Sequence, residues 1–385
     1  MEPQTFLPKG FWSCAKNVGI KDDTLDFTVI YSETRAAAAA LFTQNQFCGA
    51  PITVGKENIK DGKLQAFVIN SKNANVATGK QGIRDVYTIT EAAATELHID
   101  SKDILPSSTG VIGVPLPVQK ILEGIPGIKK ELKQDGLKES AEAIMTTDTF
   151  PKFRSRKIGD VTLCAIAKGS GMIEPNMATM LSYIMTDAEI TPQTLQSILQ
   201  RAVDVSFNMV SVDGDTSTSD TVAAMANGLA GPVDLHEFER ELTGMLISLA
   251  RDLAKDGEGA TKLVEVQVSG AQNNDQAKTM MKSIINSPLV KTAIFGEDPN
   301  WGRIISTIGN AKFPVDPEKI SFSFGGLYVF REGEPAQTDR EALANYLKGD
   351  EIVITISLGD GPGAATGWGC DLSYDYVKIN GEYTT

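Results

Sequence analysis

Histidine is nearly missing from this chain: its 385 residues contain two, His98 and His236. A Ser-His-Asp or Cys-His enzyme needs a histidine base beside its nucleophile. Both histidines stand in helical, charge-rich stretches (TELHID and DLHEFEREL) that read as solvated surface. Neither anchors a metal site by itself. The four cysteines, Cys14, Cys48, Cys164 and Cys370, lie far apart with no Cys-x-x-Cys pair. That spacing suits neither a zinc site nor a disulfide framework, and points to reduced thiols in a cytoplasm. Positive charge is short as well: 36 lysines and arginines against 49 acids leave a net charge of −13. Such a surface repels phosphate backbones, and no basic cluster with interleaved aromatics offsets it, so nucleic acid is not an expected partner. No apolar run approaches the ~18 residues a membrane-spanning helix needs. The N-terminus, MEPQTFLPKGFWS, lacks the basic start and apolar stretch of a secretory signal. Repeats and low-complexity linkers are lacking too.

What is present is the balance of a globular protein, 42% hydrophobic and 22% charged, in a length that fits about two domains. Strand-like and helix-like segments alternate, which predicts an α/β fold of mixed α+β layers with helices covering the sheets. Residues 25–31 and 65–70 are rich in β-branched and aromatic residues and read as strands. The alanine-rich run 36–42 reads as a helix, as do 88–98 and 140–145. Past residue 179, helices are predicted over 191–207, 233–255 and 275–286, and strands over 262–269, 351–358 and 371–379. No Pro/Ser hinge separates the halves, so they are expected to pack closely.

Two motif-like stretches lose their first reading on inspection. GDGPGAATGWG (359–369) offers Gly-x-Gly-x-x-Ala, but a dinucleotide fingerprint must open a helix whose N-terminus faces the pyrophosphate. Here Gly367, Trp368 and Gly369 lead toward a strand, so a wide hairpin turn is expected. DGDTSTSD (213–220) begins like a calcium loop, yet Thr218 takes the glycine position and Ala224 the final glutamate position. It reads instead as the cap of a short helix over 221–227.

The stretch AKGSGMIEPNMATML (167–181) carries more chemistry. Gly169 and Gly171 permit unusual backbone angles, and Pro175 restricts both itself and Glu174. Ala178 leaves its carbonyl approachable. If the Thr179 hydroxyl attacks that carbonyl, an ester forms that water then cleaves, leaving an N-terminal threonine. An α-amino group has a reference pKa of ~7.7–8.0, so it can serve as the base for its own hydroxyl near neutral pH. One residue then supplies nucleophile and base, which suits a histidine-poor enzyme. By itself, an Ala-Thr pair is far more often a packing or capping feature.

That stretch resembles the signature of the ornithine acetyltransferase / glutamate N-acetyltransferase family of arginine biosynthesis. The likeness continues through NANVATG (73–79), SSTGVIG (107–113), IMTTDTFPK (144–152), SVDGDTSTSDT (211–221), DGEGATKLVEVQV (256–268), NSPLVKTAIFGEDPNWGRI (286–304) and CDLSYDYVKINGEYTT (370–385). The resemblance implies a self-processing fold cut between Ala178 and Thr179, with an alpha chain of 1–178 and a beta chain of 179–385. It implies Thr179 as nucleophile and Thr109 with Gly110 as the oxyanion-hole pair. Thr146, Lys168, Thr179, Glu258, Asn380 and Thr385 match its substrate-contacting positions. The implied substrates are N-acetylornithine and glutamate, without metal or other cofactor, in a heterotetramer of two alpha and two beta chains. Lys72 stands where the family more often has glycine, and Val76-Ala77 replaces a common Ala-Cys.

Overall fold

The computed structural model describes residues 7–174 and 180–382; Ala178, Thr179 and Thr385 lie outside them. Its strands in chain order are β1 (Phe11–Lys16), β2 (Phe27–Phe42), β3 (Lys63–Asn70), β4 (Ile104–Ser108), β5 (Lys152–Ile158), β6 (Val161–Lys168) and β7 (Leu181–Ala188). They continue with β8 (Thr221–Gly231), β9 (Leu263–Gly270), β10 (Ser321–Phe324), β11 (Leu327–Arg331), β12 (Glu334–Pro335), β13 (Glu351–Ser357) and β14 (Gly361–Cys370). The first eight form one sheet in the order β4-β3-β2-β8-β7-β6-β5, with β1 against the first part of β2. The other six form a second sheet, β12-β11-β10-β13-β9-β14. Pairing is antiparallel except at β3–β4, β7–β8 and β9–β13. This is the mixed, layered α/β architecture that the alternation of segments predicts.

Every residue of β6 and β7 is buried, because the first sheet is covered on both faces. On one face lie the helices Pro192–Asp204 and Leu235–Lys255, whose Leu195, Leu199, Leu242, Leu246 and Leu249 join a single apolar cluster. Both are started by sequence-local devices: the Thr191 side chain accepts from the Thr194 N–H and the Asp234 side chain from the Glu237 N–H. The other face packs on the helix Leu137–Ala143 through Phe67, Ile166 and Tyr183, while the helix Gly79–Leu97 meets Ala66 and Val68, which alternate with Phe67 and Ile69 along β3 and so point the opposite way. The second sheet alternates strictly in β13, whose Ile352, Ile354 and Ile356 meet Met280, Met281 and Ile284 of the helix Asn274–Asn286. Each such aliphatic side chain stabilises the fold by roughly 1.5–3 kcal/mol when buried.

Four sequence readings are corrected. Residues 36–42 are strand, not helix: they are the second part of β2, and Ala37–Phe42 pair with Ala226–Thr221 of β8. Residues 221–227 are likewise strand, the start of β8. Alanine favours helices in isolation, but these two runs lie buried side by side in mid-sheet, where covering layers close in on both faces and tertiary packing overrules propensity. The glycine-rich stretch is no hairpin turn: it is largely β14, antiparallel to β9. Its glycines let a helix press onto the strand, since a Cβ on Gly367 would stand 2.3 Å from Met281 Sδ and one on Gly369 2.4 Å from Ile285 Cγ2. Finally, 371–379 is not a strand, because Tyr374–Glu382 is a helix that buries none of its residues. Its aromatic and β-branched residues favour a strand, but the Ser373 hydroxyl accepts from the Asp375 N–H at 3.1 Å and starts a helix there.

The strands β7 and β8 come from the chain beyond residue 179, yet they lie between β2 and β6, which come from before it. The expected close packing of the two halves is therefore a shared sheet.

Candidate active site

Thr109 and Gly110 follow directly on β4, and β4 leaves the sheet beside β3. The Thr109 N–H donates to the Asn70 carbonyl (3.1 Å), and Asn70 in turn accepts from the Ser108 hydroxyl (2.6 Å). Gly110 has φ +130°, and a Cβ there would lie 2.2 Å from the Lys72 carbonyl carbon. Only glycine fits this crossing of two backbones. Lys72, at the other side of the crossing, is itself left-handed at φ +77°, the conformation that glycine adopts without cost. The Gly110 N–H has no acceptor among the described residues.

Lys168 ends β6 opposite Leu181, the first residue of β7. It is 8% exposed, and its Nζ donates to the Thr109 hydroxyl at 3.1 Å. Burial pulls its ammonium below the usual lysine range, while the Asp148 and Asp220 carboxylates push the other way. Glu258 follows the helix Leu235–Lys255, and its carboxylate occupies the space that a Gly171 side chain would fill, 2.3 Å from that Cβ position. Asn380, on the last helix, donates from Nδ2 to Glu258 Oε2 at 2.9 Å.

These residues surround one cavity of about 160 Å³, lined by Thr109, Gly110, Thr146, Lys168, Glu258 and Asn380 together with Ser217, Thr218 and Ser219. Every sequence-predicted site residue within the described part of the chain is thus at one place. Thr179, Ala178 and Thr385 lie outside the described residues. Met180, next after Thr179, is buried, and its carbonyl accepts from the Thr221 N–H at 3.0 Å. A larger open groove of about 850 Å³ adjoins the cavity at Thr146, with Lys21, Lys72 and Asp148 among its walls. Burial lowers the Lys21 amine to about 8 against the pull of Asp26 and Asp148.

The loops that carry the site are tied together from below by three buried charges. Lys152 Nζ lies 2.7 Å from Asp148 and 2.5 Å from Asp256, and all three side chains are at most 2% exposed. Asp148 also accepts from the Thr146 N–H (3.0 Å) and the Gly169 N–H (2.7 Å). Asp256 accepts from the Thr149 N–H (3.0 Å), while its own carbonyl accepts from the Ser170 hydroxyl (2.6 Å). Against the upward push of burial, Lys152 and Lys168 bring the Asp148 carboxyl down to about 2. Sequence reasoning did not single out this trio. All three lie in IMTTDTFPK and DGEGATK, but a Lys and two Asp 104 and 4 residues away give no periodic signal. The Asp213–Asp220 loop is not a helix cap: its Ser217, Thr218 and Ser219 line the cavity, and Asp213 accepts from the Met172 and Ile173 N–H groups at 2.7 and 2.8 Å.

Chemically, the cavity offers a hydroxyl and a free backbone N–H from adjacent residues, a buried cation, and a carboxylate facing it from another loop. That is a site for an oxygen bearing developing negative charge, flanked by groups for a substrate carrying both signs. Among the described residues there is no group of three His, Cys, Asp or Glu that could hold a metal, and no helix long and apolar enough to cross a membrane. Both histidines are exposed, as their surroundings predict.

Residues 13–385 match the ArgJ family. A protein of Clostridium acetobutylicum named arginine biosynthesis bifunctional protein ArgJ 2 is 52% identical over 380 residues, covering 98% of both chains. One of Streptomyces clavuligerus, named as a glutamate N-acetyltransferase, is 44% identical over 385 residues, again covering 98% of each. The crystal structure of an arginine biosynthesis bifunctional protein from Bacillus halodurans matches at 44% identity with a TM-score of 0.52. All of that crystallised chain is covered by 53% of this one.

Proposed function

The chain belongs to the ArgJ family, and from that premise we propose that it cuts itself before Thr179 and moves an acetyl group from N-acetylornithine to glutamate through that threonine. The observation that carries this reading is the single cavity where Thr109, Gly110, Thr146, Lys168, Glu258 and Asn380 meet. Self-cleavage begins with attack of the Thr179 hydroxyl on the Ala178 carbonyl carbon; the C–N bond breaks and an ester forms. That break already frees the Thr179 α-amine; water then hydrolyses the ester, freeing the threonine hydroxyl and separating the two pieces. The mature enzyme then has an alpha chain of 1–178 and a beta chain of 179–385. In support, a fully matched crystallised relative spans only 53% of this chain, a share about the size of one of the two pieces.

In the transfer reaction the Thr179 amine takes the proton of its own hydroxyl, and the oxygen attacks the acetyl carbonyl. The Thr109 hydroxyl and the Gly110 N–H donate to the oxygen of the tetrahedral intermediate; one such donor stabilises the transition state by roughly 3 kcal/mol. Because Lys168 also donates to the Thr109 hydroxyl, that hydroxyl's own proton is free to point at the oxyanion. Ornithine leaves as the amine, carrying the proton, and glutamate's amine repeats the sequence in reverse. Glu258 pairs with the ornithine ammonium, Lys168 with an amino-acid carboxylate, and Thr146, Asn380 and Thr385 supply polar anchors. The two pieces assemble as two alpha and two beta chains and work in the cytoplasm.

Intact mass spectrometry with N-terminal sequencing tests the first half of this reading: the expected products are two pieces, one beginning at Thr179. Incubation with N-acetylornithine and glutamate tests the second, with acetylglutamate as the expected product. An uncut chain sinks the self-cleavage reading. Release of acetate or a free amino acid without acetylglutamate means that water is the acceptor and the enzyme is an amidase. Light scattering after size exclusion reads the assembly.

A further inference from the structure

Two apolar side chains stand in the wall of an otherwise polar cavity, used neither by the chemistry above nor by the core. Among the described residues, Ile112 and Met172 are the only ones that line it with an apolar side chain. They are 38% and 42% exposed. A single exposed apolar residue is ordinary on a protein surface, but the backbone fixes both of these at the cavity. Met172 is left-handed at φ +55°, a strained conformation for any residue but glycine. Its surroundings hold it there. The Asp213 carboxylate accepts from the Met172 and Ile173 N–H groups, the Ile173 carbonyl accepts from the Val212 N–H at 2.7 Å, and the Glu174 N–H donates to the Asp215 carbonyl at 3.0 Å. Ile112 is pinned on both sides, since the Val111 N–H donates to the Lys72 carbonyl and the Gly113 N–H to the Val76 carbonyl, each at 3.0 Å.

The two residues belong to opposite ends of the cavity. Ile112 lies just past Gly110, at the end where Lys168 donates to the Thr109 hydroxyl. Met172 follows Gly171, whose Cβ position is 2.3 Å from the Glu258 carboxylate, and so marks the end where Asn380 donates to Glu258. A donor with its acetyl carbonyl at Thr109 and Gly110 and its α-carboxylate at Lys168 reaches Glu258 with its far ammonium. Between those charged ends N-acetylornithine has only methylenes. An apolar stem is best covered by apolar side chains, and the described wall offers them at Ile112 and Met172. We propose that Ile112 and Met172 are specificity-determining residues that enclose the methylene stem of the donor, so that the site reads the stem as well as the charges at its ends. Ile112, branched at Cβ, supplies a fixed wall; Met172, unbranched, adapts to what it covers.

This inference rests on the proposed transfer reaction, and uncharged probes separate the two. N-acetylnorvaline keeps a three-carbon side chain without the ammonium, and N-acetylalanine keeps a single carbon; both retain the acetyl group and the α-carboxylate. Each is measured as a competitive inhibitor of N-acetylornithine turnover by wild type, Ile112→Thr, Met172→Gln and Met172→Leu. Cutting is read beside it on a denaturing gel, and Tm by thermal melts. A buried methylene is worth about fourfold in binding, so N-acetylnorvaline should inhibit wild type about tenfold or more tightly than N-acetylalanine. That ratio should fall about threefold or more in Ile112→Thr and in Met172→Gln, and stay near the wild-type value in Met172→Leu. In the two polar variants KM for N-acetylornithine should rise by a similar factor with kcat changed less than about twofold, as for binding shared by ground state and transition state. Tm should hardly move, because neither side chain is buried. Wild type that does not turn over N-acetylornithine removes the transfer reading, and this inference with it. Wild type that turns it over but binds the two inhibitors equally overturns the stem reading alone. A ratio unchanged in Ile112→Thr or in Met172→Gln overturns the assignment of that residue. Should Met172→Gln stay uncut, Ile112→Thr and the wild-type ratio decide.

Discussion

A methyl group at position 110 would stand 2.2 Å from the Lys72 carbonyl carbon, at a φ of +130°. Gly110→Ala therefore has to push two backbone segments apart, and both Thr109 and the Gly110 N–H move with them. Thr109→Ala removes one hydroxyl and leaves the crossing alone. The expected contrast is a Thr109→Ala enzyme with near-normal Tm and kcat lowered about 100-fold, the size of one oxyanion donor. Gly110→Ala should lose Tm and activity together; thermal melts beside steady-state kinetics read both. Lys152 makes a different residue-scale case. Lys152→Met leaves two buried carboxylates facing each other, and breaking such a group typically costs 3–5 kcal/mol, measurable by urea titration. The acid limb of stability follows from the same trio. The Asp148 carboxyl is near 2 in the folded chain against 3.8 ordinarily, so its contribution, on the order of 2 kcal/mol, is complete above the ordinary value. It is lost as pH falls from about 4 through 2. Melts between pH 5 and 2 should show that loss in wild type, and a shallower one in Asp148→Asn.

At the scale of elements, the last helix is the most separable part. Tyr374–Glu382 buries none of its residues, yet it brings Asn380 to Glu258 across the cavity. Ending the chain after Ser373 should leave Tm within a few degrees while raising KM for both substrates at least tenfold; an unchanged KM would remove Asn380 from the site. The same helix marks how far the elements could be read in advance. Helices with an apolar stripe and a capping side chain, such as Leu235–Lys255 behind Asp234, stand out because the stripe and the cap are both local. So do strands such as β13, where isoleucines alternate with polar residues. The alanines of β2 and β8 mislead because their conformation is decided by each other, nearly 190 residues apart in sequence at Ala37 and Ala226. The site divides the same way. Resemblance, not periodicity, picked out Thr109, Lys168 and Glu258, and the cavity gathers them. The Lys152 trio acts through burial, which a sequence does not display.

For the molecule as a whole, the first sheet decides what a cut before Thr179 can do. β7 and β8 are hydrogen-bonded to β6 on one side and β2 on the other, so a severed chain remains one body. Pieces of 1–178 and 179–385 should elute together in native size exclusion and appear separately only on a denaturing gel. Elution as two bodies would mean that the sheet does not survive cutting.

If the chain is cut before Thr179 as proposed, the interleaving also gives the molecule a history. Before cutting, strands from both sides find each other within one chain, at an effective concentration set by the connecting segment. Afterwards the same sheet, with two strands of one polypeptide inserted between those of another, can be rebuilt only by a second-order encounter. Cutting thus converts a reversible folding equilibrium into persistence governed by the unfolding rate. Thr179→Ala, diluted from urea, should refold at a rate independent of protein concentration. The mature pieces should refold slowly, in proportion to concentration, and with much lost to aggregation, so the active enzyme would be an object that is assembled once.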